Sequence, residues 1–497
     1  KVCISGIKQT KMDEDFVLPQ NREDSTWEED DEEKMEESNS DISDEGPECS
    51  SGRVRGWESL PDVCLRHVFE FLSDRDRRSA DLVCHHWHNV MHSPSLWRYR
   101  FFHFSGRLSK YRQSEYCSAV AYAQSKGVYL QQLEVNVYPP RRSLAARRLE
   151  QAISGLLSEL IRVKAPLQSF SLVRLELDRS SWSTGLRNAI VSGLLLFLRR
   201  GSSKLTSVCL NGMRNCLNHG MELLSALSLS ERRHSPQCYI SSLDLRGFFS
   251  GTVQVYLNPS FHRDLHRLQG LTDLSLNYSC LSDELLAALQ HRQLESMRYS
   301  GRDRNTLQRF SLQCSLNEPH QQLVCGSSWA TLASNCPDLQ VKLAVDQVIN
   351  TNWLEKILLP EIPLIEYSMT AFYAPDEEWS VKPVLSVMLP RYRRSLQYLT
   401  LDLSNCSESV DEELLELVKA CEHLEQLRVW AFLDIRTVER LLHIRLTQRN
   451  LLNKIRVRIY SVNDDTGHQE DQLEEILNSY LHLPPELEFF AVIYPFV

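Results

Sequence analysis

No apolar run in the chain reaches the roughly 18–20 residues needed to cross a bilayer, so no membrane partner is expected. The first twenty residues, Lys1 to Gln20, lack the continuous apolar stretch and small-residue cleavage site of a secretory signal. Among 14 cysteines no two stand at C-x-x-C spacing, which argues against a zinc ribbon or a redox pair. Cys64, Cys84, Cys209, Cys280 and Cys421 instead lie among aliphatic neighbours, the pattern of buried thiols in a reducing compartment. Cytoplasm, nucleus or both are therefore the expected locations. Glycine is scarce, at 18 of 497 residues, and no Gly-rich phosphate loop is present. There is likewise no G-x-S-x-G elbow, H-E-x-x-H pair or Asp-Gly calcium loop. No cysteine stands out as the activated thiolate that a covalent transferase would need. The expectation is a protein that catalyses nothing itself and needs no cofactor.

Charge is unevenly placed. The net charge is −10, yet residues 1–52 hold 17 Asp and Glu against 5 Lys and Arg, leaving the rest near +2. Residues 1–55 read as a disordered acidic arm, since self-repulsion and scarce apolar surface oppose packing.

Residues 56–103 change character. Leu65, Val68, Phe69 and Leu72 fall at helical spacing behind Leu60-Pro61-Asp62, with Ser59 as a near-cap and Pro61 just inside the first turn. Asp74 and Asp76 lead into a second helix that places Ala80, Val83, Cys84, Trp87 and Met91 on one face. Ser93-Pro94 stops it, and Leu96-Trp97 opens a third short element. A unit of about 40 residues is too small to be very stable alone, which points to completion by a partner.

After a connecting helical segment over 104–129, residues 130–497 repeat a pattern. L-x-x-L-x-L recurs at Leu130, Leu167, Leu205, Ile240, Leu271, Leu396 and Leu424, with weaker copies near Leu294, Leu364 and Leu487. Helix-like stretches such as 283–289 and 411–418 lie between. Strand and helix alternating at a period of 31–38 residues in the first half predict a leucine-rich-repeat-like solenoid. The fold class expected is α/β: a short helical unit, then a curved parallel sheet with outer helices.

The run from Trp57 to Leu72 resembles the first half of an F-box, and Val83-Cys84-His85-His86-Trp87 with Leu96-Trp97 resembles its second half. Further stretches carry the resemblance to F-box proteins onward: 74–77, 96–100, 104–107, 175–179, 281–286 and 429–434. The resemblance implies a substrate receptor of a cullin-based ubiquitin ligase, joined to the cullin by the Skp adaptor, with an unidentified protein as substrate. The adaptor contact it implies is made by Leu60, Pro61, Leu65, Val68, Phe69 and Leu72, supported by Val83, Cys84, Trp87, Leu96 and Trp97. One departure is that Arg77 and Arg78 stand where many F-boxes carry leucines. A non-degradative scaffold bound to the adaptor is the alternative.

Period-two alternation turns the residues between the leucines outward along the sheet. Arg246, Asp273, Asn277, Thr400, Asp402, Arg428 and Trp430 are the candidate substrate contacts, Trp430 foremost because Trp and Arg dominate binding anchors. Mixed charge on this face argues against nucleic acid, which selects a basic stripe. Arg141, Arg142, Arg147 and Arg148 read as a solvated helix face. Cys84, His88 and His92 fall at i, i+4 and i+8, but no second ligand cluster follows, so no metal is expected.

Overall fold

The structure, a computed structural model, describes residues 57, 60–72, 74–107, 115–201, 204–233, 239–251, 253–290, 307–315, 322, 324–348, 353–371, 380–406, 408–461, 467–480 and 483–495. The acidic arm, Ser59 and the weak copy at Leu294 lie outside these residues. Two compact units are present, divided between Leu96 and Trp97.

In the smaller unit, α1 (Asp62–Glu70) begins one residue after Pro61, which takes the N-cap with ψ 146° and no side-chain cap. Pro61 thus stands just outside the first turn, where its missing N–H is harmless. Asp62 follows in that turn, where a carboxylate opposes the positive helix end. The expected single second helix is two: α2 (Asp74–Ala80) and α3 (His85–Met91). Cys84 separates them. Its backbone is extended (φ −161°, ψ 165°), and its Sγ accepts the Trp87 N–H at 3.4 Å, a capping role that helix-face spacing does not reveal. Pro94–Trp97 forms the short third element.

The larger unit is built on one parallel sheet. Its strands are β1 (Tyr99–Phe104), β2 (Gln132–Val137), β3 (Ser169–Val173) and β4 (Ser207–Cys209). Next come β5 (Ser242–Asp244), β6 (Asp273–Asn277), β7 (Arg309–Ser315), β8 (Gln340–Val348) and β9 (Leu364–Ala371). The last are β10 (Tyr398–Leu403), β11 (Gln426–Ala431), β12 (Lys454–Ser461) and β13 (Glu488–Pro495). Among the described residues these thirteen strands lie side by side in chain order. That is an α/β solenoid of the leucine-rich-repeat kind. The sheet begins at Tyr99, within the span read as the helical unit and well before Leu130.

Each strand contributes its motif residues to shared buried rows. Leu133, Phe170, Val208, Leu243, Leu274, Phe310 and Val341 are lateral partners, all buried. Later in the sheet Leu399, Leu427, Ile455 and Phe489 form such a row. Helices on the return paths close the core. Ser143–Arg162 is the longest, and its apolar stripe Leu149, Ile153, Leu156, Leu157 and Leu160 is buried. It packs between the helices Glu115–Lys126 and Thr184–Arg200. Burying a Leu side chain in such a stripe contributes about 1.5–3 kcal/mol.

The turns after β3, β4 and β5 stack on one another. Arg174, Gly212 and Gly247 have φ of 65°, 68° and 61°, so each turn holds a left-handed residue, with Glu176 and Arg214 adding a second in the first two. The Arg174 N–H donates to the Asn211 carbonyl at 2.8 Å and the Gly212 N–H to the Arg246 carbonyl at 2.8 Å. A Cβ on Gly247 would stand 3.1 Å from the Gly212 Cα, so glycine serves both conformation and close approach there.

Candidate functional site

The helical unit turns three of its expected adaptor contacts inward. Leu65 and Phe69 are buried, and the Phe69 ring meets Trp87 edge-on at 5.2 Å. Leu96 is buried as well. These three are packing residues. The apolar side chains that α1 and the turns do expose are Val63 (67%), Val68 (40%), Phe71 (78%), Leu82 (85%) and Val83 (58%). Val63, Phe71 and Leu82 were not singled out from sequence. For Val63 the signal is the helix period itself, since position 63 lies across the helix from 65. Leu60, Leu72, Cys84, Trp87 and Trp97 are half-buried, and Pro61 is exposed. Cys64, expected among buried thiols, is exposed, whereas Cys280 and Cys421 are buried. Burial pushes the Cys421 thiol up to about 11.

Arg77 has a structural task. Its Nε donates to the Phe69 carbonyl at 3.1 Å, Nη2 to Glu70 at 3.1 Å and Nη1 to Leu96 at 3.2 Å. The first two are carbonyls that the end of α1 leaves without an intrahelical partner. A guanidinium there also suits the negative helix end. A leucine at this position could not do this, so Arg77→Leu is expected to destabilise the helical unit by about 1–2 kcal/mol. Faster amide exchange over 62–72 in the full chain would show it; unchanged exchange would remove Arg77 as the brace.

Asp81, His88 and His92 converge, with each His Nδ1 3.2 and 3.7 Å from the Asp81 Oδ1. The His92 Nδ1 is also 2.8 Å from the His88 carbonyl oxygen, a contact only an N–H can make. Its lone pair therefore lies on the other ring nitrogen. Cys84, as the cap of α3, is not part of this group.

On the sheet face, several candidate substrate contacts are already engaged. Asn277 is half-buried, and its Oδ1 accepts the Gly247 N–H, closing the ladder of left-handed turns. Asp273 pairs with Arg309 across adjacent strands. Arg246 forks onto Asp244, with Nη2 2.7 Å from Oδ2. These three brace the repeat face.

The outward face of the last four strands differs. Thr400, Arg428 and Arg456 are lateral partners, as are Asp402, Trp430 and Arg458. The Arg458 guanidinium lies over Trp430 at 4.5 Å and over Tyr494 at 4.8 Å. The Tyr460 hydroxyl donates to Asp402 Oδ1 at 2.9 Å. Burial raises the Asp402 carboxyl above its ordinary range, opposed by that hydrogen bond and by the Arg458 charge. Burial likewise raises the Tyr460 phenol, and Asp402 raises it further. Glu488 receives Arg456 at 2.5 Å and Lys454 at 3.1 Å. Burial would raise its carboxyl, but those two partners hold it below the ordinary value. Sequence reasoning missed Arg456, Arg458, Tyr460 and Tyr494. The signal was available in Leu452-x-x-Ile455-x-Val457, a copy of the motif with Ile in the second position.

A small helical unit with exposed apolar side chains is thus followed in the chain by a leucine-rich-repeat-like sheet with a polar outward face. Residues 57–103 match the family model described as F-box-like. The chain is 28% identical to F-box/LRR-repeat protein 21 of Ovis aries over 254 residues, covering 49% of this chain and 51% of the relative. To the proteins of that name from Bos taurus and Mus musculus it is 27% and 26% identical, with 49% of this chain and 51% of each relative covered. The chain thus carries an F-box-like segment and is homologous to these F-box/LRR-repeat proteins, spanning about half the length of the relatives it matches.

Proposed function

We propose that the protein is the substrate-recognition subunit of an SCF-type ubiquitin ligase. Its helical unit binds the Skp adaptor, and through it a cullin, while the sheet face of the repeats holds a protein substrate. The receptor contributes proximity, bringing its cargo to a ubiquitin-loaded enzyme, and the chemistry belongs to that enzyme. The observation that carries the reading is the set of apolar side chains exposed on a unit too small to be finished alone: Val63, Phe71, Leu82 and Val83 are all more than half exposed. Such side chains suit a partner's apolar groove, as in helix-in-groove recognition. Half-exposed Leu60 with exposed Pro61, and half-buried Leu72, Trp87 and Trp97, extend the contact. The stretches 74–77, 96–100, 104–107, 175–179, 281–286 and 429–434, within and beyond the F-box, resemble F-box only protein 39, and that kinship is part of this proposal. Cytoplasm and nucleus are the compartments in which such a receptor works.

The test is capture of adaptor and cullin by the full-length protein. Phe71→Asp with Val83→Asp should reduce adaptor recovery at least about tenfold, since both charges would face an apolar groove. Both positions are exposed, so the fold should survive, with an unchanged melting temperature as the check. Undiminished recovery would sink the adaptor interface. The non-degradative scaffold reading loses part of its motive, because Arg77 is engaged on α1 carbonyls and does not replace an aliphatic contact.

A further inference from the structure

The outward positions of β10 to β13 carry four cations, Arg428, Lys454, Arg456 and Arg458, against two carboxylates, Asp402 and Glu488. Glu488 is shared by Lys454 and Arg456. Asp402 accepts from Tyr460. Arg428 and Arg458 make no ion pair among the described residues, and the Nε of each is buried without a hydrogen-bond partner. Arg428 also stands directly opposite Arg456 on the neighbouring strand. Like charges facing across adjacent strands destabilise a sheet, and a buried guanidinium N–H without an acceptor adds to that cost. The repeat face therefore holds a local excess of positive charge that its own residues do not neutralise.

Around it stand ring faces. Trp430 and Tyr494 both lie against the Arg458 guanidinium, and a guanidinium receives a carboxylate in its own plane. Tyr460 meets Phe432 at 5.7 Å, and Tyr494 is about half exposed. An apolar side chain next to an acidic one would find rings and guanidinium together.

We propose that this patch binds an acidic peptide segment of a protein partner, with Arg428 and Arg458 receiving Asp or Glu carboxylates and Trp430 and Tyr494 receiving an adjacent apolar side chain. The inference rests on the sheet face being the substrate site, and it names the chemistry of that substrate. A monoanionic carboxylate suits the patch better than a phosphate dianion, because Asp402 lies beside Trp430 and within the field of Arg458. Two charges so near Asp402 would be repelled more strongly than one. Glu488 among the cations also disfavours a nucleic-acid backbone.

The experiment uses the full-length protein and fluorescein-labelled decapeptides alternating Glu and Leu. Controls are a counterpart with Gln for Glu, one with phosphoserine for Glu, and a short oligouridine. Binding of the Glu peptide, with affinity for the Gln peptide at least about tenfold lower, supports the proposal. Arg428→Gln with Arg458→Gln should lower Glu-peptide affinity at least about tenfold, while Arg263→Gln, at an exposed arginine on the helix Pro259–Arg267, changes nothing. Thr400→Glu is the check against misfolding. It sets a carboxylate beside Arg428, so it should abolish peptide binding with an unchanged or higher melting temperature. Equal binding of Gln and Glu peptides, tighter binding of the phosphoserine peptide or oligouridine, or indifference to the arginine changes would overturn it. Failure to bind any acidic peptide would do so as well. Adaptor capture by the same variants separates the two readings. If capture persists while peptide binding is absent, only this inference falls. If the peptide binds as described and no adaptor is ever captured, only the ligase reading falls.

Discussion

Asn405→Leu is expected to cost the repeat body about 3–5 kcal/mol although the side chain keeps its branching and its number of heavy atoms. Asn405 is 1% exposed in the turn after β10. Its Nδ2 donates to the Glu408 carbonyl at 2.8 Å and to the Phe432 carbonyl at 3.0 Å, and its Oδ1 accepts the Phe432 N–H at 2.9 Å. Glu408 in turn receives the Ser380 hydroxyl at 2.7 Å and the Val381 N–H at 3.0 Å. One amide therefore ties its own turn to the turn after β11, and through Glu408 to the segment before β10. Leucine fills the space but leaves three backbone groups dry, each costing about 1–3 kcal/mol when no partner replaces the amide. Solenoid repeats depend on their neighbours, so the loss should appear first as faster amide exchange over 404–410 and 431–434, with a lowered denaturation midpoint. A cost below about 1 kcal/mol would mean that water replaces the amide. Phe432 also rests against Tyr460, the donor to Asp402, so the same change should loosen the basic patch.

Such a network marks the boundary of what the sequence could disclose. The strands were legible because each must bury residues at fixed offsets, and Leu, Val and Ile have few other reasons to recur at that spacing. The copies at β7, β8 and β12 escaped notice although Phe310, Val341 and Ile455 occupy the central position as Phe170 and Val208 do in copies that were read, since any large apolar side chain serves there. Outwardness was legible for the same geometric reason, but availability was not. Asn277 and Asp273 alternate with buried leucines as a ligand-binding residue would. Their partners, Gly247 and Arg309, lie some thirty residues away in the chain and meet them only once the repeats stack. In the helical unit the helix period was read correctly, yet which arc faces inward depends on α3. Trp87 draws Phe69 in and leaves Phe71 out. The break at Cys84 was hidden because a thiol cap has no strong sequence signature, unlike Ser, Thr, Asp or Asn.

Trp182→Ala should be comparably damaging, at about 3–5 kcal/mol, and for a different reason. The turn after β3 holds two non-glycine residues in the left-handed region, Arg174 at φ 65° and Glu176 at φ 47°. Such conformations cost of order 1 kcal/mol each and persist only where packing over-determines them. Trp182, 1% exposed, supplies that packing: its ring is buried in the core and its Nε1 donates to the Leu175 carbonyl at 3.2 Å, between the two strained residues. Its neighbour Ser181 donates to the Pro140 carbonyl at 2.7 Å, which ties the turn to the preceding repeat. Alanine would leave a cavity, an unpartnered carbonyl and two strained residues without their wedge, so the turn should relax and 174–182 should exchange early. Trp182→Phe separates the contributions. It keeps a six-membered ring and loses the hydrogen bond with only part of the ring volume, for about 1–3 kcal/mol. Equal losses in the two variants would show that the hydrogen bond, and not the ring's volume, holds the left-handed residues in place.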